Sequence, residues 1–463
     1  MILMTVYGSD KLHEECGVFG IYAPEGCDVA HDIYYGLTAL QHRGQESAGM
    51  SVCDTSGPKG NICTKKDMGL VSEVFSAETL GRLHGNIGVG HVRYSTTGGS
   101  VPENAQPIAM NYIKGTLAVV HNGNIMNAQE LKEQQMGRGQ AHYTTSDTEV
   151  LAYEIISERV KTPSIEAAVK NAAGRFKGGY ALIVMSPRKM IAVRDPRGLK
   201  PLIMGKRDDT VIFASESAAL KSIGAQVIRD VEPGEIITVT EEGVISDRSM
   251  CKQTPAHCVF EYIYFAREDS VIDGVEVRGA RVKAGEALYA ADAVKADIVC
   301  GVPDSGLAAA EGFSKASGIP LVTAFHKNSY IGRSFIKPTD EQRRAAVHMK
   351  LSVLPSAVQG RDIVLIDDSI VRGNTMRQII EMLREAGARA VHVRISSPPF
   401  LYPCYYGTDV PSSGQLIASG HSTEEVRRSI GADSLAYLRL EDLRTMAGGR
   451  SICSACFDNN YPV

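Results

Sequence analysis

The feature that most restricts how this chain can fold is the run Val364-Leu365-Ile366-Asp367-Asp368-Ser369-Ile370-Val371-Arg372-Gly373-Asn374-Thr375. An apolar segment ends in two adjacent carboxylates, and a short loop with a hydroxyl, an Arg and a Gly follows. Met376, Ile379, Ile380 and Leu383 then recur at the spacing of an amphipathic helix. A buried strand that enters a helix through a polar loop belongs to an open α/β sheet, where ligands sit at strand C-termini. The loop's backbone N–H groups and the helix N-terminus suit a phosphate. Two carboxylates beside it would repel an anion unless they hold sugar hydroxyls or a divalent cation. A phosphorylated ribose with metal-bound pyrophosphate meets both demands. An ATP-type loop does not fit, because Gly-x-x-x-x-Gly-Lys-Ser/Thr is absent.

At 463 residues the chain is long enough for two domains, each with its own core. A net charge of -4 gives no sign of a nucleic-acid or membrane partner, and no apolar run approaches membrane-spanning length. The ten cysteines are too scattered for a disulfide scaffold, which implies a reducing cytoplasm with some thiols in chemical use. The first fifteen residues carry Asp10, Lys11, His13, Glu14 and Glu15 and no apolar core, so they are not a secretory signal.

Cys16 heads a strand-like run, Cys16-Gly17-Val18-Phe19-Gly20-Ile21-Tyr22. Alone it would be a small buried hydrophobe. Four polar clusters set it apart: Gln41-His42-Arg43-Gly44-Gln45, Gly90-His91-Val92-Arg93-Tyr94-Ser95-Thr96, His121-Asn122-Gly123-Asn124, and Ser146-Asp147-Thr148-Glu149. In this order they resemble the class II glutamine amidotransferases, N-terminal-nucleophile (Ntn) hydrolases that release ammonia from glutamine. The resemblance implies an αββα sandwich over residues 16–245. A thiol nucleophile needs a base, and a freed α-amine on Cys16, titrating near pH ~8, serves. That requires cleavage of the Glu15–Cys16 bond, so Met1 to Glu15 is expected to be a propeptide. Arg93 is the natural partner of the glutamine carboxylate and Asp147 of its ammonium. Asn122 and Gly123 would form the oxyanion hole. The resemblance assigns these same roles, with Arg43 also in the glutamine site.

In the second half Ala296 to Val302 runs into Pro303-Asp304-Ser305-Gly306 and a helix-like Leu307 to Ala316, a second strand–loop–helix unit that implies a mostly parallel sheet. Together with the opening motif this resembles the type I phosphoribosyltransferases over residues 246–463. The expected class is therefore α+β followed by α/β. The resemblance implies that Asp367, Asp368, Ser369, Val371, Arg372, Gly373, Asn374 and Thr375 bind phosphoribosyl pyrophosphate (PRPP). It further implies that Ser305, Asp367 and Asp368 contact Mg2+; the family often has a second Ser where Gly306 stands.

The cationic stretch from His326 to Pro338 resembles the PRPP lid of the glutamine PRPP amidotransferases, which brings in Lys327 and Arg333. Tyr262, Tyr330, Phe335 and Ile336 correspond to that family's ammonia-channel lining. An apolar lining suits neutral ammonia.

Cys453-Ser454-Ala455-Cys456 with Cys404 and Cys258 supplies four thiolates, the number for a [4Fe-4S] cluster or a structural Zn2+, and spacing does not choose between them. The resemblance favours the iron–sulfur, propeptide-bearing branch. The conjunction of halves implies formation of phosphoribosylamine, the first committed step of purine synthesis, in the cytoplasm; the resemblance further implies a homotetramer inhibited by purine nucleotides. A PRPP-binding repressor would need a DNA-binding element, and neither a basic stripe nor a helix-turn-helix is present. A plain glutaminase with a lapsed second domain is the other rival.

Overall fold

All six residues of Gly17–Tyr22 are buried, so this strand needs a layer on each side. Phe19 and Ile21 pack with Ile33 and Leu37 of the helix Ala30–Ala39, and Gly36 is where the Phe19 ring lies flat against that helix. Val18 and Tyr22 point the other way, into a core shared with Val120, Ala181 and Ile183. The structure is a computed structural model and describes residues 16–57, 61–94, 99–328, 351–408, 410 and 412–463.

Gly17–Tyr22 is central in a seven-stranded sheet, paired antiparallel with Thr210–Ala214 and Ile87–Arg93. A six-stranded sheet centred on Gly115–Ile125, Gly178–Ser186 and Lys189–Arg194 packs beneath it. On the far side of that second sheet Leu117, Val119 and Ile125 meet Leu151, Ile155 and Val169 from the helices Asp147–Lys161 and Ile165–Ala173. Helix, sheet, sheet and helix stack in that order, as the αββα expectation requires. The outermost strand of the second sheet, Gly243–Asp247, runs two residues past the expected boundary at 245.

The C-terminal half is built on a parallel sheet ordered Ile298–Gly301, Asp362–Asp367, Ala390–Ile395, Ser434–Tyr437. Ile363 and Leu365 face Met376, Ile379 and Ile380, the stripe of the helix Asn374–Glu385. Val364 and Ile366 face the helices Val277–Ala291 and Leu307–Ser317. The core on that second face also takes in Phe19, Leu37 and Phe260, so the two halves share one apolar interior. Between them lies a segment the sequence pattern did not announce, a π-helical turn over Glu261–Phe265. Such turns mark functional positions more often than chance.

The expected propeptide, and Tyr330, Arg333, Phe335 and Ile336, lie outside the described residues.

Candidate active sites

Cys16 is buried at the head of its strand, with Sγ 3.5 Å from the Tyr94 carbonyl. Its own carbonyl accepts a 3.1 Å hydrogen bond from Arg43 Nε. Arg43 was expected among the glutamine contacts. Its side chain is instead fully enclosed, with Nη1 donating to Glu216 at 2.7 Å and the fork reaching Glu261 at 2.9 and 2.6 Å. Two carboxylates thus engage this guanidinium, one of them from the other half of the chain, and its visible work is to hold the Cys16 backbone. Burial alone would raise the Glu216 carboxyl, but His42 and Arg43 beside it bring it far below the usual carboxylate range.

The strand Gly115–Ile125 carries the other expected groups. Asn122 is wholly buried, and neither atom of its amide has a hydrogen-bond partner among the described residues. An amide in that state is costly unless something else uses it. Gly123 has φ +138°, and a Cβ there would sit 2.0 Å from the Gly179 carbonyl, so only glycine fits. Asp147 opens the helix Asp147–Lys161, capped by Ser146, and accepts from the Ile125 N–H at 3.2 Å. Burial pushes its carboxyl up, but His121 at 3.5 Å and the N–H groups of Ile125 and Thr148 outweigh this and lower it overall. The helix N-terminus favours the same anion. Arg93 is buried nearby, 3.3 Å from both Glu46 and the Gly99 carbonyl. His91 Nε2–H donates to the His121 carbonyl at 3.0 Å, and burial holds the pKa of its ring down at about 3, so it is neutral at physiological pH.

In the second half Asp367 and Asp368 are buried at the C-terminal end of their strand. The Asp368 N–H donates to Asp367 Oδ1 at 3.0 Å, and the hydroxyls of Ser305 and Ser369 both donate to the Asp368 carboxylate. Ser305 is thus brought to the acid pair as expected. A Cβ on Gly306 would lie 2.5 Å from the Ile366 carbonyl, so the glycine lets this loop close on the strand. Gly373, with φ +88°, turns the chain into the helix that begins at Asn374 and Thr375. The preceding loop is braced from behind, as Ile417 N–H donates to the Val371 carbonyl at 2.8 Å and Arg372 to Gln415 at 2.6 Å. Lys327 pairs with Asp304 across the mouth of this site.

The π-helical turn spans the gap between the sites. Glu261 meets Arg43 at one end. At the other, burial and then the charges of Asp368 and Asp367 push the Tyr264 hydroxyl up. Tyr262 is buried between them, its hydroxyl donating to the Ile272 carbonyl at 3.3 Å. Arg281 gathers the carbonyls of Tyr262, Tyr264 and Ala266, at 2.8 to 2.9 Å, and so fixes the turn.

Cys258, Cys404, Cys453 and Cys456 line one cavity together with Leu199, Phe260 and Phe400. Cys258 and Cys453 are direct cross-strand partners in a short parallel pair. No disulfide joins any of the ten cysteines. Among the described residues no three Cys, His, Asp or Glu side chains stand at single-ion coordination geometry. Burial pushes the Cys453 thiol up to about 12, and Cys456 rises well above its ordinary value through burial and then its three sulfur neighbours. Four thiols lining one apolar cavity fit a cationic group that would be held by their thiolates.

Sequence reasoning missed Glu216, Glu261, His121 and Tyr264. Glu261 carried a signal: an acid inside an aromatic run must find a buried cation.

Residues 91–222 match the glutamine amidotransferase domain family, and residues 281–396 match the phosphoribosyl transferase domain family. The chain is 44% identical to the amidophosphoribosyltransferase of Methanocaldococcus jannaschii, over 97% of this chain and 98% of that one. It is 45% identical to the Bacillus subtilis amidophosphoribosyltransferase, over 98% and 95%. Among solved structures it resembles the B. subtilis glutamine PRPP amidotransferase complexed with ADP and GMP, with a TM-score of 0.89 at 44% identity over 96% of this chain and 97% of that chain. A structure of the allosteric regulatory enzyme of purine biosynthesis gives a TM-score of 0.90, also at 44% identity, over 96% of each chain.

Proposed function

The chain belongs to the amidophosphoribosyltransferase family, and on that premise we propose that it hydrolyses glutamine at Cys16 and delivers the ammonia internally to C1 of PRPP. Phosphoribosylamine, glutamate and pyrophosphate are the products, and the step commits PRPP to purine synthesis. The observation that supports this reading is the buried connection from the Cys16 carbonyl through Arg43 to Glu261, at the head of the turn between the two halves.

At the first site the leader is removed at Glu15–Cys16, and the freed α-amine takes the thiol proton. Arg93 receives the glutamine carboxylate and Asp147 its ammonium. The Asn122 amide and Gly123 N–H stabilise the oxyanion as the thiolate attacks, and water later releases glutamate. Arg43 supports the nucleophile's backbone from behind.

At the second site the Ser369 to Thr375 loop and the following helix N-terminus hold the 5′-phosphate. Asp367 and Asp368 hold the ribose hydroxyls. These two acids and Ser305 would also hold Mg2+, which supplies charge neutralisation on the departing pyrophosphate. Lys327 leaves Asp304 for the same anion, and Arg333 is assigned beside it. Tyr262 belongs to the ammonia path, to which Tyr330, Phe335 and Ile336 are also assigned. Cys258, Cys404, Cys453 and Cys456 would hold a structural [4Fe-4S] cluster, for which the shared cavity is the support, with Zn2+ as the alternative. Purine-nucleotide regulation, a homotetramer and a cytoplasmic site of action complete the proposal.

The test is pyrophosphate release from PRPP with either glutamine or ammonia as donor. Cys16→Ala should abolish the glutamine-supported rate and spare the ammonia-supported one; an unaffected glutamine-supported rate overturns the reading. Iron content and visible absorbance of anaerobically purified protein decide between cluster and zinc.

A further inference from the structure

The strand segment that carries Asn122 and Gly123 is held from outside its own domain. Asn124 Nδ2 donates a 2.8 Å hydrogen bond to the Tyr405 carbonyl. Gly407 has φ +106°, and a Cβ on it would lie 2.9 Å from the Gly123 carbonyl carbon and 3.2 Å from Asn124 N. Gly123 also lies so close to the next strand that its own Cβ would meet the Gly179 carbonyl at 2.0 Å. The peptide unit after Gly123 is therefore clamped between a strand of its own sheet and a loop some 280 residues later in the chain (281 from Asn124 to Tyr405).

That loop is itself firmly fixed. The Tyr406 hydroxyl is 3.1 Å from both the N–H and the carbonyl of Val463, and the Tyr461 hydroxyl donates to the Pro403 carbonyl at 2.6 Å. The Tyr405 and Tyr461 rings meet at a 42° tilt with centroids 4.9 Å apart. A glycine with φ +138° has no side chain to define its peptide orientation, so packing has to do so. The strand end is already paired with Gly178 to Tyr180, so the loop's contribution is to fine-tune the backbone at Gly123 within that ladder, and donors aimed at a developing oxyanion lose effect steeply with small displacements.

We propose that the Tyr405–Gly407 loop is a positioning element for glutamine hydrolysis, one that aims the Gly123 N–H and the Asn122 amide from the far end of the chain. It rests on the reading of Asn122 and Gly123 as the oxyanion donors. Neither Asn124 nor Gly407 touches substrate in this account; each acts through the Gly123 Cα and the peptide that follows it, which set the direction of the N–H on the preceding peptide.

The experiment compares Asn124→Ala and Gly407→Ala with Asn122→Ala as benchmark. Glutamate release is measured against glutamine concentration, and ammonia-supported pyrophosphate release is measured alongside. Both loop variants should lower kcat for glutamate release about tenfold or more, as expected for a misaimed donor. The KM for glutamine should stay within about threefold, and the ammonia-supported rate should be unchanged, because these contacts serve the transition state alone. In the Asn122→Ala background the Asn124 effect should shrink but persist, since the Gly123 N–H is then the one donor left for the loop to aim. If Asn122→Ala loses about 100-fold or more while Asn124→Ala stays within about twofold, the inference falls and the oxyanion reading stands. If Asn122→Ala itself keeps its rate, the oxyanion reading has failed. Equal losses of both activities in the loop variants also overturn the inference, because the loop is then a general support. Should Gly407→Ala not fold, Asn124→Ala, which removes one half-buried amide, decides alone.

Discussion

Replacing Glu261 by Ala tests the connection between the two sites at its most buried point. The wild-type pair has essentially no exposed side-chain surface, 0% for Arg43 and 2% for Glu261. Deleting one partner of such a pair costs about 3–5 kcal/mol, because the other charge stays buried. Glu216 still meets Arg43 at 2.7 Å, so the lower end of that range applies. At about 2.1 cal/mol/K per residue, a cooperative unit of this chain's 463 residues unfolds with an entropy of about 1 kcal/mol/K, so about 3 kcal/mol lowers the melting temperature by roughly 3 °C. Arg43 then shifts toward Glu216 and loosens its 3.1 Å bond to the Cys16 carbonyl. A hydrogen bond from a charged donor is worth about 1.5–3 kcal/mol, or about 10- to 150-fold if it is fully expressed in the rate. The assay pairs glutamate release with thermal unfolding. Glu261→Gln keeps one acceptor oxygen and should fall between wild type and Ala on both scales. Glutamate release within twofold of wild type, with an unmoved melting temperature, would refute the argument.

Three other outcomes follow from the geometry. Asp147→Asn should raise the KM for glutamine. The native Asp147 carboxyl is lowered, so its stabilisation is present above the ordinary carboxylate pKa and is lost as pH falls through the folded value. The melting-temperature gap between parent and variant should therefore hold from pH 7 to about pH 4 and close below it. Asp368→Asn should weaken PRPP binding at least about tenfold in an equilibrium titration with Mg2+, while basal glutamate release persists. Cys456→Ser should remove both bound iron and visible absorbance from anaerobic preparations, and retention of either contradicts the cluster assignment.

Much of this architecture was legible in residue order because local and global signals agree. The Val364 to Leu383 pattern gave the strand, the loop and the helix stripe that the structure contains, and the Asn122-Gly123 pair fell where backbone geometry demands glycine. What stayed hidden depends on contacts distant along the chain. Nothing local to Glu261 indicates that its partner is Arg43, and the aromatic run around it has no period that spells a π-helical turn. Arg43 lies beside Cys16, where its motif put it, but nothing near it in sequence indicates that burial pairs it with two distant carboxylates. The role of Gly407 was equally invisible, since its close approach is to a strand end in another domain.

The interior common to both halves also bears on how the chain is made. Arg43 emerges from the ribosome 218 residues before Glu261, the later of the two carboxylates that hold it. At about 5–20 residues per second that is a wait of roughly 10–45 s. During that interval the face of the first domain around Phe19 and Leu37 lacks its Phe260 neighbour. Biogenesis is therefore sequential and exposed: a nascent hydrolase needs shelter until the later half arrives to cover it.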